Sequence, residues 1–357
     1  MGKHSPGRYN RERKQMSSAL PPTADDRAIW DLWESQFVMP VATVADEVGT
    51  FRALSDAALT TDALAAQLGV DARALSIHLA ALCSLGLVEK REGKWRATAV
   101  TRTWLHPEGE GYWGGFFSGF RERIPPYHGQ LLESLKTGRR PQDTQAGAPE
   151  WEKGEMSAEA AVRIAAFMHS HSVAPAKGAA MQGVFGEIGS LMDVGCGSGV
   201  YGIEIAKAHP TLEVTLMDLA AMCDAAQSYI DRAGMGERVK TAPVNMFTED
   251  WPAGMDAHFF SNVFHDWSEE TNRIIARKSF EALPSGGRIF LNEILMDDDG
   301  TGPWPAAAFS LLMLVGTLGK QYSLPEFREI LESAGFTDVE AMRTGGGYYS
   351  LVSARKP

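Results

Sequence analysis

The segment with the clearest chemical potential is a glycine-rich loop that runs from Asp193 to Gly199. It follows a short apolar run and precedes a helical pattern, as a ligand-binding turn between a strand and a helix does. Gly195, Gly197 and Gly199 allow close backbone approach to a ligand and positive φ angles. Because dinucleotide enzymes and structural turns use similar loops, the glycines alone indicate only a ligand at a strand end. Asp193 would repel a pyrophosphate there, but it can hold the ammonium group of an amino acid indirectly.

Acidic and histidine side chains end two other apolar runs. Asp218 ends the run after the glycine loop, 25 residues beyond Asp193, where it can accept hydrogen bonds from ribose hydroxyls. His265 and Asp266 follow the apolar run that begins at Phe259. Histidine titrates near neutrality and can take a proton from the hydroxyl of an acceptor molecule. These positions predict a nucleotide-like ligand beside a general base.

A parallel, doubly wound sheet would position these side chains. Four short apolar runs alternate with helical stretches, which predicts an α/β Rossmann-like domain. The predicted strands are Leu191–Val194, Val214–Met217, Ala257–Ser261 and Arg288–Asn292. Ligands of such sheets bind at the carboxyl ends of the strands, so we expect the loop, Asp218 and His265 at one edge.

The residues before this sheet predict a smaller, mainly helical domain. Two helices over Thr60–Gly69 and Ala72–Leu85 are followed by a hairpin over Leu87–Thr98 that turns at Glu92-Gly93. This order is typical of a winged helix, which raises the alternative of a DNA-binding regulator. The second helix, however, offers only Arg73 and His78 to reach phosphates and bases, and the net charge of −11 repels polyanions. We therefore predict a dimerisation domain and no nucleic-acid partner.

Length and composition set the remaining expectations. A chain of 357 residues predicts more than one domain. We divide it into a disordered tail (1–22), a winged-helix dimerisation domain (23–105), a helical linker with the substrate pocket (106–180) and the catalytic domain (181–357). The absence of a long apolar run and of an apolar signal core predicts a cytoplasmic protein without a membrane partner. Three scattered cysteines, and two histidines at 169 and 171 that cannot share a helical face, predict no metal site.

The glycine loop resembles the first motif of class I S-adenosylmethionine (SAM)-dependent methyltransferases. Residues 25–355 resemble the small-molecule O-methyltransferases that carry an N-terminal winged-helix dimerisation domain. The resemblance implies SAM as cofactor, a homodimer, His265 with Asp266 as the catalytic pair and Glu293 as a brace for His265. Asn245-Met-Phe247 stands where relatives have Asp-Met-Phe against adenine. The implied cofactor-binding residues are Asp193, Gly195, Gly197, Gly199, Asp218, Leu219, Asn245, Met246, Phe247 and Ser261.

Two departures from the family bear on the acceptor. Gln321 stands where relatives have a second glutamate beside the histidine, and Ser261 replaces a lysine common in plant members. Loss of a carboxylate weakens base-assisted O-methylation, whereas a thioether sulfur carries a lone pair at any pH and needs no base. The predicted substrate-binding residues are Trp113, Phe117, Arg121, Tyr127, Met168, His169, Trp304, Phe309, Met313 and Gln321.

Segments 111–115 and 314–323 are similar to a marine bacterial branch of the family. That branch methylates the sulfur of 4-methylthio-2-hydroxybutyrate on the route to dimethylsulfoniopropionate. The specific prediction is therefore S-methylation of this thioether. Two alternatives stay open: O-methylation of a phenolic or other hydroxylated metabolite with His265 as general base, and a winged-helix regulator that senses SAM.

Overall fold

The computed structural model describes residues 26–108, 112, 117, 127–141, 143, 153–345 and 348–357, without the side chains at 170 and 171. Its first part is helical apart from one hairpin. The elements are α1 (Arg27–Glu47), α2 (Thr50–Asp56), α3 (Thr61–Leu68), α4 (Ala72–Ser84), β1 (Val88–Arg91), β2 (Lys94–Ala97), α5 (Ala99–Trp104), α6 (Tyr127–Thr137) and α7 (Ala158–Ala180).

Local sequence explains the order of α3, α4 and the hairpin. The side chains of Thr60 and Asp71 cap the two helices by accepting hydrogen bonds from backbone N–H groups three residues on. Gly69 ends α3 in the left-handed conformation. Glu92 and Gly93 both have positive φ angles, as the two central residues of a tight hairpin turn require. The two helices and the hairpin turn therefore lie where the sequence predicts them.

The second part of the chain forms a seven-stranded sheet with helices on both faces. Its elements are β3 (Ser190–Val194), α8 (Val200–Ala208), β4 (Glu213–Asp218), α9 (Ala220–Ala233), β5 (Val239–Pro243), β6 (Ala257–Ser261), α10 (Glu269–Ala282), β7 (Arg288–Glu293), α11 (Trp304–Gly316), α12 (Leu324–Ala334), β8 (Thr337–Arg343) and β9 (Ser350–Arg355). The strand order is β5-β4-β3-β6-β7-β9-β8, with β9 antiparallel to both of its neighbours and the other pairings parallel. The predicted α/β fold and its four strands are confirmed.

Helix α11 joins the two parts. It is apolar on all sides, and its Trp304, Leu311 and Leu314 belong to the same buried cluster as Phe37 and Val41 of α1. A helix that is hydrophobic all round is a buried one. The helical core is thus completed by a segment from the far end of the chain.

The two polar residues of α4 that could have faced DNA are both engaged inside the protein. The imidazole of His78 is fully buried against the carbonyl oxygen of Val41, at 2.9 Å, and burial lowers its pKa to about 4. Arg73 donates hydrogen bonds to the carbonyl oxygens of Leu318 and Gly319. Neither side chain is therefore available for phosphates or bases.

Within the part of the chain that the structure describes, no helix is long and apolar enough to cross a membrane. The described residues also contain no group of three or more His, Cys, Asp or Glu side chains that could hold a metal ion.

Candidate active site

The glycine loop connects β3 to α8 at the carboxyl edge of the sheet. Gly195 and Gly199 have φ angles of 69° and 74°. A β-carbon would lie 2.8 Å from Val263 Cγ2 at the first position and 2.4 Å from Leu216 Cδ1 at the second. Only glycine meets both the backbone and the packing requirement there. Gly197 also has a positive φ, but open space surrounds the place where its β-carbon would be, so this backbone is accessible to a ligand.

A cavity of about 200 Å³ lies beside this loop. Its wall combines the carboxyl ends of β3, β4 and β6 with apolar side chains from the segment around α7. The lining residues are Met156, Ile164, Met168, Gly195, Gly197, Met217, Asp218, Leu219, Met222, Val244, Asn245, Met246, Phe247, Asn262, Val263, Asp266 and Trp267. Seven of the ten predicted cofactor-binding residues are among them; Asp193, Gly199 and Ser261 are not.

Two carboxylates accept backbone hydrogen bonds from the glycine loop and from the first turn of α8. Asp218 Oδ2 accepts a hydrogen bond from Gly197 N–H at 3.0 Å, and its Oδ1 accepts one from Leu219 N–H at 2.7 Å. Burial nevertheless raises the pKa of Asp218 to about 6. Asp193 is buried and accepts from Gly202 N–H at 3.1 Å; burial, reinforced by the charge of Asp218, raises its pKa to about 7. Asp193 thus fixes the start of α8 and does not line the cavity.

Asn245 forms a tight turn at the cavity wall. Its Oδ1 accepts hydrogen bonds from the backbone N–H groups of Phe247, at 2.9 Å, and Thr248, at 3.3 Å. An amide oxygen has two lone pairs, so this acceptor is fully used. The side-chain group of Asn245 that remains for a ligand is therefore the donating Nδ2 group.

His265 lies in the short 3₁₀ turn Phe264–Asp266 that follows β6. The side chain is only 4% exposed, and its Nδ1 lies 2.9 Å from Glu293 Oε2 at the end of β7. Its Nε2 is 3.8 Å from Asp266 Oδ1. Burial alone would lower the pKa of His265, but the charge and hydrogen bonding of Glu293, helped by Asp266, outweigh it and raise the pKa above its ordinary value.

Gln321 completes the surroundings of the imidazole. Its Nε2 lies 2.9 Å from His265 Nδ1, while its backbone N–H donates to the hydroxyl of Ser310 on α11. The Nδ1 nitrogen of His265 cannot donate a hydrogen bond to the carboxylate of Glu293 and also accept one from the amide of Gln321. Because amide oxygen and nitrogen are assigned from their hydrogen bonds, a flipped Gln321 would present Oε1 to Nδ1–H instead. The amide contacts the histidine on the same ring nitrogen as Glu293.

Ser261 does not line the cavity, in contrast to its predicted role. Its hydroxyl bonds the carbonyl oxygen and side-chain amide of Asn292 on the neighbouring strand, at 3.3 and 3.2 Å. Asn262, the first residue after β6, lines the cavity instead. It has a φ of 56°, unusual for a residue other than glycine, and its Oδ1 accepts a hydrogen bond from the Tyr349 hydroxyl.

The predicted substrate-binding residues fall into three places. Met168 lines the glycine-loop cavity, and His169 lies 3.3 Å from Ser198 of that loop. Phe309 contacts the His265 ring at 5.9 Å between centroids. Trp304 and Phe117 are both 7% exposed and belong to the helical core. Met313 is buried on α11, and Tyr127 packs on Phe37. Trp113 and Arg121 lie outside the described residues.

Sequence reasoning missed about half of the cavity wall. Asn262, Val263 and Trp267 could have been found from their position next to His265 in the chain. Met156, Ile164 and Met222 carry no such signal, since apolar residues at helical spacing read as ordinary core.

The O-methyltransferase domain family matches residues 128–337 of the chain. A 3-hydroxy-5-methyl-1-naphthoate 3-O-methyltransferase from Streptomyces sahachiroi is 34% identical over 87% of this chain and 88% of its own length. An O-methyltransferase family 2 protein from Planctomyces limnophilus, crystallised with apigenin, superposes with a TM-score of 0.81 at 24% identity, over 95% of this chain and 98% of that one. Human N-acetylserotonin methyltransferase in complex with SAM gives 0.58 at 24% identity, over 96% and 99%.

The chain belongs to this O-methyltransferase family. It is a SAM-dependent methyltransferase that acts on a small molecule, as the sequence predicts. Thioether S-methylation, the specific prediction, finds no support in these relatives, and O-methylation, its alternative, fits them better.

Proposed function

We propose that this enzyme transfers the methyl group of SAM to a hydroxyl oxygen of an aromatic small molecule, with His265 as the general base. One observation carries the proposal. Glu293 occupies the Nδ1 side of the imidazole at 2.9 Å, while Asp266, on the Nε2 side, also lines the glycine-loop cavity. The nitrogen left to take a proton therefore faces the cofactor side.

The residues around the cavity fit SAM. The carboxylate of Asp218 lies beside the accessible backbone of Gly197, where ribose hydroxyls need acceptors. Met246 and Phe247 offer apolar surfaces for a flat base, and the Nδ2 group of Asn245 offers a donor to a ring nitrogen. When bound, SAM supplies an electrophilic methyl group on a sulfonium centre.

In the proposed reaction His265 Nε2 takes the proton of the acceptor hydroxyl. Bound SAM would supply the methyl group to the oxygen, its methyl carbon–sulfur bond would break, and S-adenosylhomocysteine would leave. The negative charge of Glu293 beside Nδ1 favours the tautomer that has its proton on Nδ1 and a lone pair on Nε2. The same carboxylate, with Asp266, stabilises the imidazolium that forms, and the proton then passes to solvent. Gln321 adds no charge, so the base relies on one buried carboxylate.

The raised pKa of His265 favours oxygen over sulfur as the acceptor atom. A buried histidine paired with a fully buried glutamate costs desolvation energy, which a base-free S-methylation would not need. The Streptomyces sahachiroi relative, which covers 87% of this chain, is named a 3-O-methyltransferase.

We also propose that residues 23–105 form a winged-helix module through which two chains pair, and that 181–357 form the catalytic domain. Support comes from the helix–helix–hairpin order and from large apolar side chains left exposed on the module. They are Ile29 and Leu32 on α1 and Val100 and Trp104 on α5. Exposed apolar patches of this kind mark protein–protein contacts.

The test is a comparison of acceptors. Purified enzyme is incubated with SAM and either 3-hydroxy-1-naphthoate or 4-methylthio-2-hydroxybutyrate, and S-adenosylhomocysteine and methylated product are quantified by mass spectrometry. We expect an O-methyl ether from the naphthoate, and its loss in His265→Ala. Turnover of the thioether alone would overturn the proposal in favour of S-methylation. A gel-shift assay with genomic fragments, expected to be negative, tests the regulator alternative.

A further inference from the structure

A carboxyl group with no partner lies in the middle of an aromatic helix face. Glu34 of α1 has no exposed surface, and neither of its carboxyl oxygens has a hydrogen-bond partner. Burial, with the nearby charge of Asp31, raises its pKa to about 8, so the group is mostly protonated at neutral pH. A buried polar group without a partner is costly, and native structures keep few of them.

The neighbours of Glu34 along α1 define the direction in which it faces. Residues three and four positions apart share a helix face, and Trp30 and Phe37 stand at those spacings from Glu34, while Trp33 is its neighbour in the chain. The rings of Trp30 and Trp33 both pack on Phe309 of α11, at 5.4 and 5.3 Å between centroids. The face that carries Glu34 is therefore the one turned towards α11.

Phe309 links this face to the candidate base. Its ring contacts Trp30 and Trp33 on one side and the imidazole of His265, at 5.9 Å, on the other. On the next turn of α1, Phe37 packs on Tyr127 of α6, at 5.2 Å, beside a void of about 10 Å³ between α1, α6 and α11. Glu34 thus lies on the helix face whose Trp30 is linked through Phe309 to the imidazole of His265.

We propose that Glu34 is a specificity-determining residue for the acceptor: it receives a hydrogen bond from a hydroxyl or amine that the aromatic acceptor carries away from the methylated oxygen. The inference rests on the proposed function for the location of the acceptor beside His265. The aromatic rings match a flat, unsaturated molecule, and Glu34 is the polar group among them whose hydrogen-bonding capacity is unused. A site built around an unused polar group discriminates against ligands that leave it unpaired.

Two matched probes test the proposal: 2,7-dihydroxynaphthalene, which has a distal hydroxyl, and 2-naphthol, which has no polar group at that position. Their dissociation constants are measured by calorimetry on enzyme saturated with S-adenosylhomocysteine. The wild-type enzyme is expected to bind the diol about tenfold more tightly. Glu34→Leu should remove this preference, and Glu34→Gln, whose amide oxygen still accepts, should keep most of it. Gln36→Leu, on the exposed side of α1, is the matched control.

The melting temperature gives an independent measurement. Glu34→Leu replaces an unpartnered buried carboxyl with an apolar group of similar size, so the variant should melt at a higher temperature than the wild type. A lower melting temperature would mean that Glu34 supports the fold, and would overturn the proposal. So would an unchanged diol preference in Glu34→Leu, or no binding of either probe by the wild type. Preferential binding of the diol without its methylation would count against O-methylation alone and leave the role of Glu34 intact.

Discussion

Gly319 lies so close to the backbone of His265 that a β-carbon at position 319 would be 2.0 Å from the His265 carbonyl oxygen. Two contacts hold the segment in this position. Leu318 N–H donates to the carbonyl oxygen of Asp266 at 3.0 Å, and Arg73 of α4 donates to the carbonyl oxygens of Leu318 and Gly319. The turn after α11 therefore fixes the backbone that carries the candidate base.

Replacement of Gly319 with alanine should displace the His265 turn. Because a displacement of about 1 Å can cost a hundredfold in rate, we expect kcat to fall about 10- to 100-fold. The Kd for SAM, measured by calorimetry, should stay within about twofold. Gly316→Ala is the control, since its added β-carbon has no atom within 4 Å. Equal activities of the two variants would contradict this account.

Glu293→Gln should change both the rate and its pH dependence. The base must be neutral to accept a proton, so activity rises with pH through the pKa of His265. Glu293 raises that pKa above 6.5, and removal of its charge should therefore move the acid limb of the kcat profile to lower pH. The plateau should fall by about 10- to 1000-fold, because the imidazolium loses its partner.

The converse substitution, Gln321→Glu, provides the matched comparison. A second carboxylate beside Nδ1 should raise the pKa of His265 further and move the acid limb to higher pH. If the acid limb of the kcat–pH profile lies at the same pH in both variants as in the wild type, a group other than His265 controls the rate.

SAM affinity should depend on pH through Asp218. Its carboxylate accepts hydrogen bonds from ribose only when ionised, and its pKa is raised to about 6. The Kd for SAM should therefore decrease as the pH rises through 6, by about tenfold between pH 5 and pH 8. Asp218→Asn should bind SAM more weakly and lose this step. Calorimetric titrations across this range provide the measurement; a Kd independent of pH in the wild type would exclude Asp218 as the ribose acceptor.

Pairing of two chains through α1 is testable by light scattering after size exclusion. Ile29 and Leu32 are 67% and 70% exposed, a large apolar area for an unpaired helix. The wild type should elute as a dimer, and the double variant Ile29→Lys with Leu32→Lys should elute as a monomer. Gln36→Lys, an exposed position on the same helix, should leave the dimer unchanged. A monomeric wild type would contradict the proposed pairing.

The sequence predicts the parts of this fold whose signals are local. The four central strands are apolar runs, and the glycine loop between β3 and α8 requires backbone conformations that only glycine adopts readily. Strands β5, β8 and β9 were not predicted. Lys240, Thr241, Glu340 and Arg343 interrupt the apolar pattern of β5 and β8, because an edge strand needs only one covered face.

The site was predictable only where neighbours in the chain are also neighbours in space. His265 and Asp266 adjoin one another, and Glu293 ends the next strand. The contacts of Trp30 and Arg73 with the far end of the chain depend on how α1 and α4 pack on α11, which no periodicity specifies. The sequence also could not predict which of the side chains of Ser261 and Asn262 faces the cavity, because this depends on the exact residue at which the strand ends.

The aromatic face of α1 has an evolutionary consequence. Most of the residues proposed to hold SAM follow strand ends of the sheet, whereas the aromatic side chains next to His265 come from α11 and, through Phe309, from α1. Substitutions at Trp30, Trp33, Glu34 or Phe37 can therefore alter which acceptor molecules bind while the proposed SAM-binding residues stay the same. Enzymes with this architecture can therefore evolve towards different acceptors by substitutions in a single helix, α1.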